Sequence, residues 1–140
     1  MKIDWAIPAR HLEALADGSF LVLGIGADIV GALEFPTPII VSLIVSLSCD
    51  PTQAGVDHEL AVTIRGVDLE ELDVLQVALQ FGPGDNTPEG WRVRLVLPAV
   101  SRFMAAQPGT YSIELRTDDD HKSVPVLVRD LSAPPDQPAP

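Results

Sequence analysis

Three consecutive carboxylates, Asp118, Asp119 and Asp120, form the densest cluster of metal-ligand side chains in the sequence. Calcium prefers several oxygen ligands, and Asp85 and Asn86 of a glycine-rich loop would join the cluster only if both loops lay at one end of the fold. The run lacks the alternating Asp or Asn positions of an EF-hand loop. It therefore predicts a solvated turn between the last two strands, with a cation site as the alternative.

Other patterns that carry catalysis or cofactor binding are missing from the sequence. His11, His58 and His121 are too far apart for the close ligand pairs that mark a zinc site. No Gly-x-Ser-x-Gly elbow is present. Gly24 and Gly26 lack the third glycine and the following helix of a dinucleotide-binding loop. We therefore expect no enzyme activity and no cofactor.

Two arginines offer binding chemistry instead. Arg92 and Arg94 alternate with Trp91, so strand geometry predicts that both arginines project from one face of a sheet and the tryptophan from the other. One interpretation is a set of cross-strand pairs with Glu114 and Arg116, which would stabilise the sheet modestly. The alternative is contact with an anion or a partner.

Apolar side chains share this outward direction. Ile40, Ile44 and Val96 point away from the main core face in the predicted strands, which suggests an exposed apolar patch. We therefore predict one interaction surface, which consists of Arg92, Arg94, Val96, Ile40 and Ile44.

The composition narrows the class of protein. The 140 residues include 9 Lys and Arg against 20 Asp and Glu, a net charge of −11. This charge argues against nucleic-acid binding, which needs clustered basic residues, and against anionic membrane surfaces. The hydrophobic fraction of 46% is typical of a globular domain.

The N-terminal sequence has no apolar run of the kind found in a secretory signal. The most apolar stretch, residues 38–49, is shorter than the about 20 residues of a membrane-spanning helix. The lone Cys49 cannot form an internal disulfide and is predicted to be a small buried side chain. We expect a cytoplasmic protein.

Hydrophobic residues alternate with polar ones at a period of two along most of the chain. From Ile39, one face carries Val41, Leu43, Val45, Leu47 and Cys49. This period predicts strands and, with Gly, Pro and Asp turn signals between them, an antiparallel all-β fold. About eight strands are expected, near residues 2–7, 20–25, 39–49, 60–65, 75–81, 91–97, 111–116 and 124–129.

Only one or two short helical turns are expected, at residues 8–16 and 68–73. Because neither could cover a sheet, the apolar sheet face must meet a second sheet, which predicts a two-sheet sandwich. Pro125 should lie on an edge strand or beside a bulge, because it donates no ladder hydrogen bond. We assign residues 1–130 to one domain and residues 131–140 to a proline-rich, extended tail.

Two passages together resemble a known family. The first is an acidic opening strand, a short spacer and then Asp17-Gly18-Ser19-Phe20-Leu21-Val22-Leu23-Gly24-Ile25. The second is Phe103 followed by Gln107-Pro108-Gly109-Thr110-Tyr111-Ser112-Ile113-Glu114-Leu115. The pair resembles a family of small uncharacterised bacterial and phage domains known only as a domain of unknown function. The resemblance covers about residues 1–130 and implies an immunoglobulin-like β-sandwich without a known activity.

The segment from Pro108 and Gly109 to Tyr111 is typical of many immunoglobulin-like and fibronectin-like modules. In such modules a tyrosine corner bonds its hydroxyl back to the chain. Tyr111 fits this position, although a plain core tyrosine is the alternative. Trp91 is expected to be structural as well. Unlike an immunoglobulin domain proper, the chain has one cysteine and no Cys…Trp…Cys spacing.

These observations favour a non-catalytic interaction module. It would self-associate or dock a protein partner through an outer sheet face or an edge strand. The alternative is a sandwich that binds a small molecule or a carbohydrate, with a cation at the loop of Asp118 to Asp120. Seven aromatic residues leave few for sugar stacking.

Overall fold

Period-two alternation produces strands along almost the whole chain. The computed structural model, which describes residues 1–133, contains ten strands and one short 3₁₀ turn at Pro51–Gln53. The strands are β1 (Lys2–Ala9), β2 (His11–Ala14), β3 (Phe20–Leu23), β4 (Ile29–Ala32), β5 (Thr37–Cys49), β6 (His58–Gly66), β7 (Leu69–Leu79), β8 (Val93–Ala105), β9 (Gly109–Arg116) and β10 (His121–Asp130).

The strands form three sheets. A three-stranded sheet has the order β1-β5-β8, and a five-stranded sheet has the order β4-β10-β9-β6-β7. The third sheet is the β2-β3 hairpin. Neighbouring strands are antiparallel except for β4, which runs parallel to β10.

The two larger sheets share one hydrophobic core. The face of β5 that the alternation marked as apolar is buried from Val41 to Cys49. It packs in the same cluster as alternate residues of β6, β9 and β10 from the other sheet. The all-β prediction is therefore confirmed. The count of about eight strands in two sheets is wrong, because β2, β3 and β4 are short separate strands and the β2-β3 pair forms its own sheet.

The predicted helical turn at residues 8–16 is wrong. β1 extends to Ala9, and β2 pairs with β3 so that Leu12 lies opposite Val22. The turn around Gly18, whose φ of 84° is left-handed, closes this hairpin. The pairing of β2 with β3 therefore outweighs the helical spacing of Leu12 and Leu15.

The predicted turn at residues 68–73 is also wrong. Most of this segment is the beginning of β7, which pairs with β6 across two irregularities in register. A bulge shifts the side-chain alternation by one residue. The extra residue is Val74, which packs against the core, and Leu75 beside it, predicted to face inward, is 36% exposed.

The strand predicted at residues 91–97 begins two residues later and continues to Ala105 as β8. Trp91 therefore precedes the strand, and at 68% exposure it does not contribute to the core as predicted. Pro98 does not end the strand, because β8 is an edge strand and tolerates a residue without an N–H.

Pro125 lies in β10, opposite Ser112 of β9. Strand β4 pairs with β10 only from Leu127 onward, so β10 has no second strand beside Pro125. Of the predicted tail at residues 131–140, the last seven residues lie outside the described range. Within residues 1–133, no helix is long and apolar enough to span a membrane.

Candidate functional site

The outer face of the three-stranded sheet holds most of the predicted interaction surface. The pairing of β5 with β8 sets Ile40 opposite Arg102, Ser46 opposite Val96 and Ser48 opposite Arg94. The exposed fractions of Ile40 and Val96 are 58% and 37%. This sheet therefore presents apolar side chains and arginines on the same face.

Ile44 lies on this outer face but is only 4% exposed. The β2-β3 hairpin lies over this part of the sheet, and Phe20 and Val22 line the same space as Ile44. The expectation that Ile44 belongs to an exposed patch is therefore wrong. Hydrophobic spacing alone did not reveal that the hairpin folds back over the sheet.

Arg92 and Arg94 have different environments. Arg92 precedes β8, and its Nε donates to the Ser48 Oγ at 2.9 Å while its Nη2 donates to the Ser48 carbonyl at 3.1 Å. The predicted cross-strand pairing of these arginines with Glu114 is wrong, because β9 belongs to the other large sheet. Among residues 1–133, Arg94 forms no ion pair.

The space between the hairpin and the sheet, which we call the hairpin groove, has a volume of about 530 Å³. Its walls are mainly apolar, and Arg94 and Ser19 add polar groups. A groove of this size and character is typical of small-molecule sites. Its lining residues include Trp5, Ile7, Phe20, Val22, Ile44 and Val96.

One long side of β8 is unpaired. Strand β8 has 13 residues and is hydrogen-bonded only to β5 in the described structure. Beyond Pro98, the residues from Ala99 to Ala105 form an uninterrupted stretch that we call the β8 edge. Its outward side chains include Val100 at 44% exposure and Met104 at 53% exposure, on either side of Arg102.

The three aspartates form a turn that anchors the first strand. The N-terminal ammonium of Met1 donates to Asp119 Oδ2 at 2.8 Å, and the Ile3 N–H donates to Asp120 Oδ2 at 2.8 Å. These hydrogen bonds lower the pKa of both carboxyl groups, for Asp119 together with the ammonium charge. Among residues 1–133, no group of three His, Cys, Asp or Glu side chains is arranged to hold a metal ion. This includes the aspartates at 118–120.

A polar cluster on the outer face of the five-stranded sheet was not predicted. Glu114 accepts hydrogen bonds from Ser112 Oγ at 2.6 Å and Ser123 Oγ at 3.0 Å, and it pairs with His121 Nε2 at 2.5 Å. Burial acts to raise the pKa of Glu114, but these hydrogen bonds lower it overall. The sequence carried one signal for this cluster, because Ser112 and Glu114 are two residues apart in a strand and therefore share its outer face.

This cluster has the residue types of a catalytic triad but not its connectivity. A triad needs the histidine between the serine and the carboxylate, so that the imidazole removes the serine proton. In this cluster Glu114 lies between the serines and His121. The arrangement instead satisfies a carboxylate that is only 11% exposed.

Tyr111 bonds back to the chain as the tyrosine-corner prediction proposed. Its ring is fully buried, and its hydroxyl donates to the Gln107 carbonyl at 3.0 Å. Burial, followed by the neighbouring Asp68 carboxylate, raises the pKa of Tyr111 to about 12. Pro108 and Gly109 connect the two ends of this bond, and Gly109 has a φ of 151°.

Gly66 makes room for the tyrosine ring. It lies opposite Tyr111 in the β6-β9 pairing, and a Cβ atom on Gly66 would lie 2.2 Å from Tyr111 Cδ1. Asp68 completes this end of the fold, because its Oδ2 accepts the Ala106 N–H at 2.6 Å.

Cys49 is a buried free thiol, and burial raises its pKa.

A model for a family of unknown function (DUF6941) matches residues 9–129, a range that includes β2 and extends through nearly all of β10. No curated protein matches the chain. The resemblance to a family of unknown function is therefore confirmed in that respect.

Proposed function

The chain belongs to this family, and because the family description names no function, we propose that the protein is a non-catalytic interaction module that binds an acidic strand along the β8 edge. Such a strand would come from a second copy of the chain or from a protein partner. The observation that carries the proposal is the unpaired side of Ala99–Ala105. Exposed edge strands are natural templates for strand addition.

Charge favours an acidic occupant. Arg102 is exposed at the centre of the β8 edge, and it forms no ion pair among residues 1–133. The chain itself has an acidic edge strand, β7, where Glu70, Glu71 and Asp73 are exposed. One of these, Glu71, already pairs with Arg65 at 3.1 Å.

The relative position of the two edges supports self-association. Asp68, just before β7, accepts a hydrogen bond from Ala106, just after β8, so β7 begins beside the end of β8. A two-fold axis parallel to the strands would set β8 of one copy against β7 of the other. It would also bring Arg102 level with the acidic start of β7. The contact between β8 and β7 would then form twice, and the dimer would be closed.

The non-catalytic part of the proposal is supported by the order of contacts around Glu114, which differs from that of a triad. We propose an immunoglobulin-like architecture, supported by the Tyr111 hydroxyl bond to Gln107. Cytoplasmic location, a bacterial or phage origin and the absence of nucleic-acid and membrane partners stay predictions.

Sedimentation velocity over a range of concentrations tests the proposal. We expect a monomer–dimer equilibrium that R102E shifts toward monomer and that E70R combined with R102E restores. R129E, on β10 of the other sheet, is the matched control and should leave the equilibrium unchanged. A second outcome, a monomer that still binds a synthetic acidic extended peptide in an Arg102-dependent way, would identify a partner strand as the occupant. A monomer that binds no such peptide would refute the proposal.

The alternative function, binding of a small molecule, is favoured by a separate observation. The hairpin groove has a volume within the usual range for ligand sites and is lined mainly by apolar side chains. Its cation-assisted version lacks such support, because Asp119 and Asp120 already bind the start of β1.

A further inference from the structure

The hairpin groove lies before Pro98 in β8, on the part of the outer face that the β8 edge does not use. Its floor includes Trp5 and Val96, which pair with Ser46 of β5 from either side. Its opposite wall is the hairpin, through Phe20 and Val22. The groove therefore offers an apolar slot that is open to solvent.

The charged group of the groove lies at one end of this slot. Arg94 lies two residues before Val96 in β8 and on the same face, a separation of roughly 7 Å along the strand. It lines the groove and is exposed. The slot is therefore apolar along its length and cationic at that end.

The nearby charges leave Arg94 available. Asp4 is the acidic group nearest along the sheet, and its Oδ1 accepts the Ser48 hydroxyl at 2.9 Å. Ser48 in turn accepts from Arg92, so Arg92 and Asp4 balance each other through one serine. Arg94 forms no ion pair within residues 1–133.

We propose that the hairpin groove binds a small amphipathic monocarboxylate, whose apolar body lies between Trp5 and the hairpin and whose carboxylate binds Arg94. A guanidinium matches the planar carboxylate with two parallel hydrogen bonds. A single charge fits best, because Arg94 is the one charged side chain among the described residues that line the groove, and the net charge of −11 repels polyanions. This site goes beyond the proposed strand-binding function and does not depend on it.

The chain supplies its own reporter for this site. It has two tryptophans, of which Trp5 lines the groove and Trp91 is 68% exposed outside it. In W91F, tryptophan fluorescence reports on Trp5 alone. Dodecanoate, kept below its micelle concentration, is the probe, and dodecanol is the uncharged control of equal chain length.

We expect dodecanoate to change the Trp5 emission in a saturable way, with dodecanol binding about tenfold more weakly. R94Q in the W91F background should weaken dodecanoate binding by about the same factor and leave dodecanol binding unchanged. R129Q, on β10 of the other large sheet and outside the groove, is the control and should have no effect.

Absence of a saturable Trp5 response to dodecanoate would overturn the proposal. Equal affinity for dodecanoate and dodecanol would overturn it as well, because it would indicate apolar adsorption without a carboxylate site. The same holds if R94Q and R129Q behave alike. Thermal melts of both variants check the fold, and if R94Q does not fold, the comparison of acid with alcohol decides alone.

Discussion

The outer faces of the two large sheets arise from the same alternation but differ in how they satisfy their side chains. On the five-stranded sheet, Glu114 is enclosed by Ser112, Ser123 and His121, all from the same sheet. On the three-stranded sheet, Ile40, Val100 and Met104 are exposed. The polar groups at the centre of the first face satisfy one another, whereas the second face has apolar groups and arginines available for binding. We therefore propose that the first face contributes mainly to stability and the second to recognition.

The largest loss of stability should come from a change that displaces Tyr111 from the five-stranded sheet. G66A should lower the free energy of unfolding by about 3 kcal/mol, because the new methyl would overlap the buried ring. Chemical denaturation measures this loss. G55A is the control, since nothing lies within 4 Å of a Cβ there. Equal stability of the two variants would contradict the packing described for Tyr111.

Removal of the charge in the polar cluster should have the next largest effect. E114Q should cost about 2 kcal/mol near neutral pH, because the serine and histidine donors lose a charged acceptor. The pKa of Glu114 is lowered in the fold, so its contribution is present above the ordinary value of 4.5 and is lost as the pH falls through the folded pKa.

The measurement is the unfolding free energy of wild type and E114Q between neutral and acidic pH. The difference between the two proteins should shrink in acid. A difference that stays constant with pH would show that the carboxylate charge does not stabilise this face.

Tyr111 provides a smaller and more specific test. Y111F should cost about 1 kcal/mol, because it removes the hydrogen bond to the Gln107 carbonyl. The folded pKa of about 12 lies above the ordinary value of 10.0, so the contribution is complete below pH 10.0 and is lost toward pH 12.

Tyr111 is the single tyrosine of the chain, so near-ultraviolet absorbance follows its ionisation alone. We expect a midpoint well above 10.0 in the native protein and near 10.0 in denaturant. A native midpoint at the ordinary value would mean that the hydroxyl is not enclosed.

The recognition face should respond least in stability. V100S should change the free energy of unfolding by less than about 0.5 kcal/mol, because Val100 is 44% exposed and lies outside the core. The same variant should weaken self-association in sedimentation velocity. A loss of stability as large as that of G66A would erase the distinction between the two faces.

The sequence predicted the buried side of the fold better than its outer side. The alternation from Val41 to Cys49 identified a core face correctly, because burial on one side of a strand selects a period of two. The Pro-Gly-x-Tyr segment likewise suggested the bond from Tyr111 to the chain. Both features depend on residues close together in sequence.

What the sequence missed depends on distant parts of the chain. The burial of Ile44 results from the β2-β3 hairpin, which begins more than 20 residues earlier. The cluster around Glu114 needs β9 and β10 side by side. The separation of Glu114 from Arg94 depends on which sheet each strand joins, and local periodicity carries no information about strand order.

Hydrogen–deuterium exchange at low and high protein concentration tests the central claim, that recognition occurs on the β8 edge, most directly. At high concentration we expect slower exchange of backbone amides in Ala99–Ala105 and in β7, with the β2-β3 hairpin and β10 unchanged. Slower exchange confined to β1 or β4, the other edges of the two large sheets, would contradict the account. So would a dimer in which the exchange of Ala99–Ala105 is unaltered.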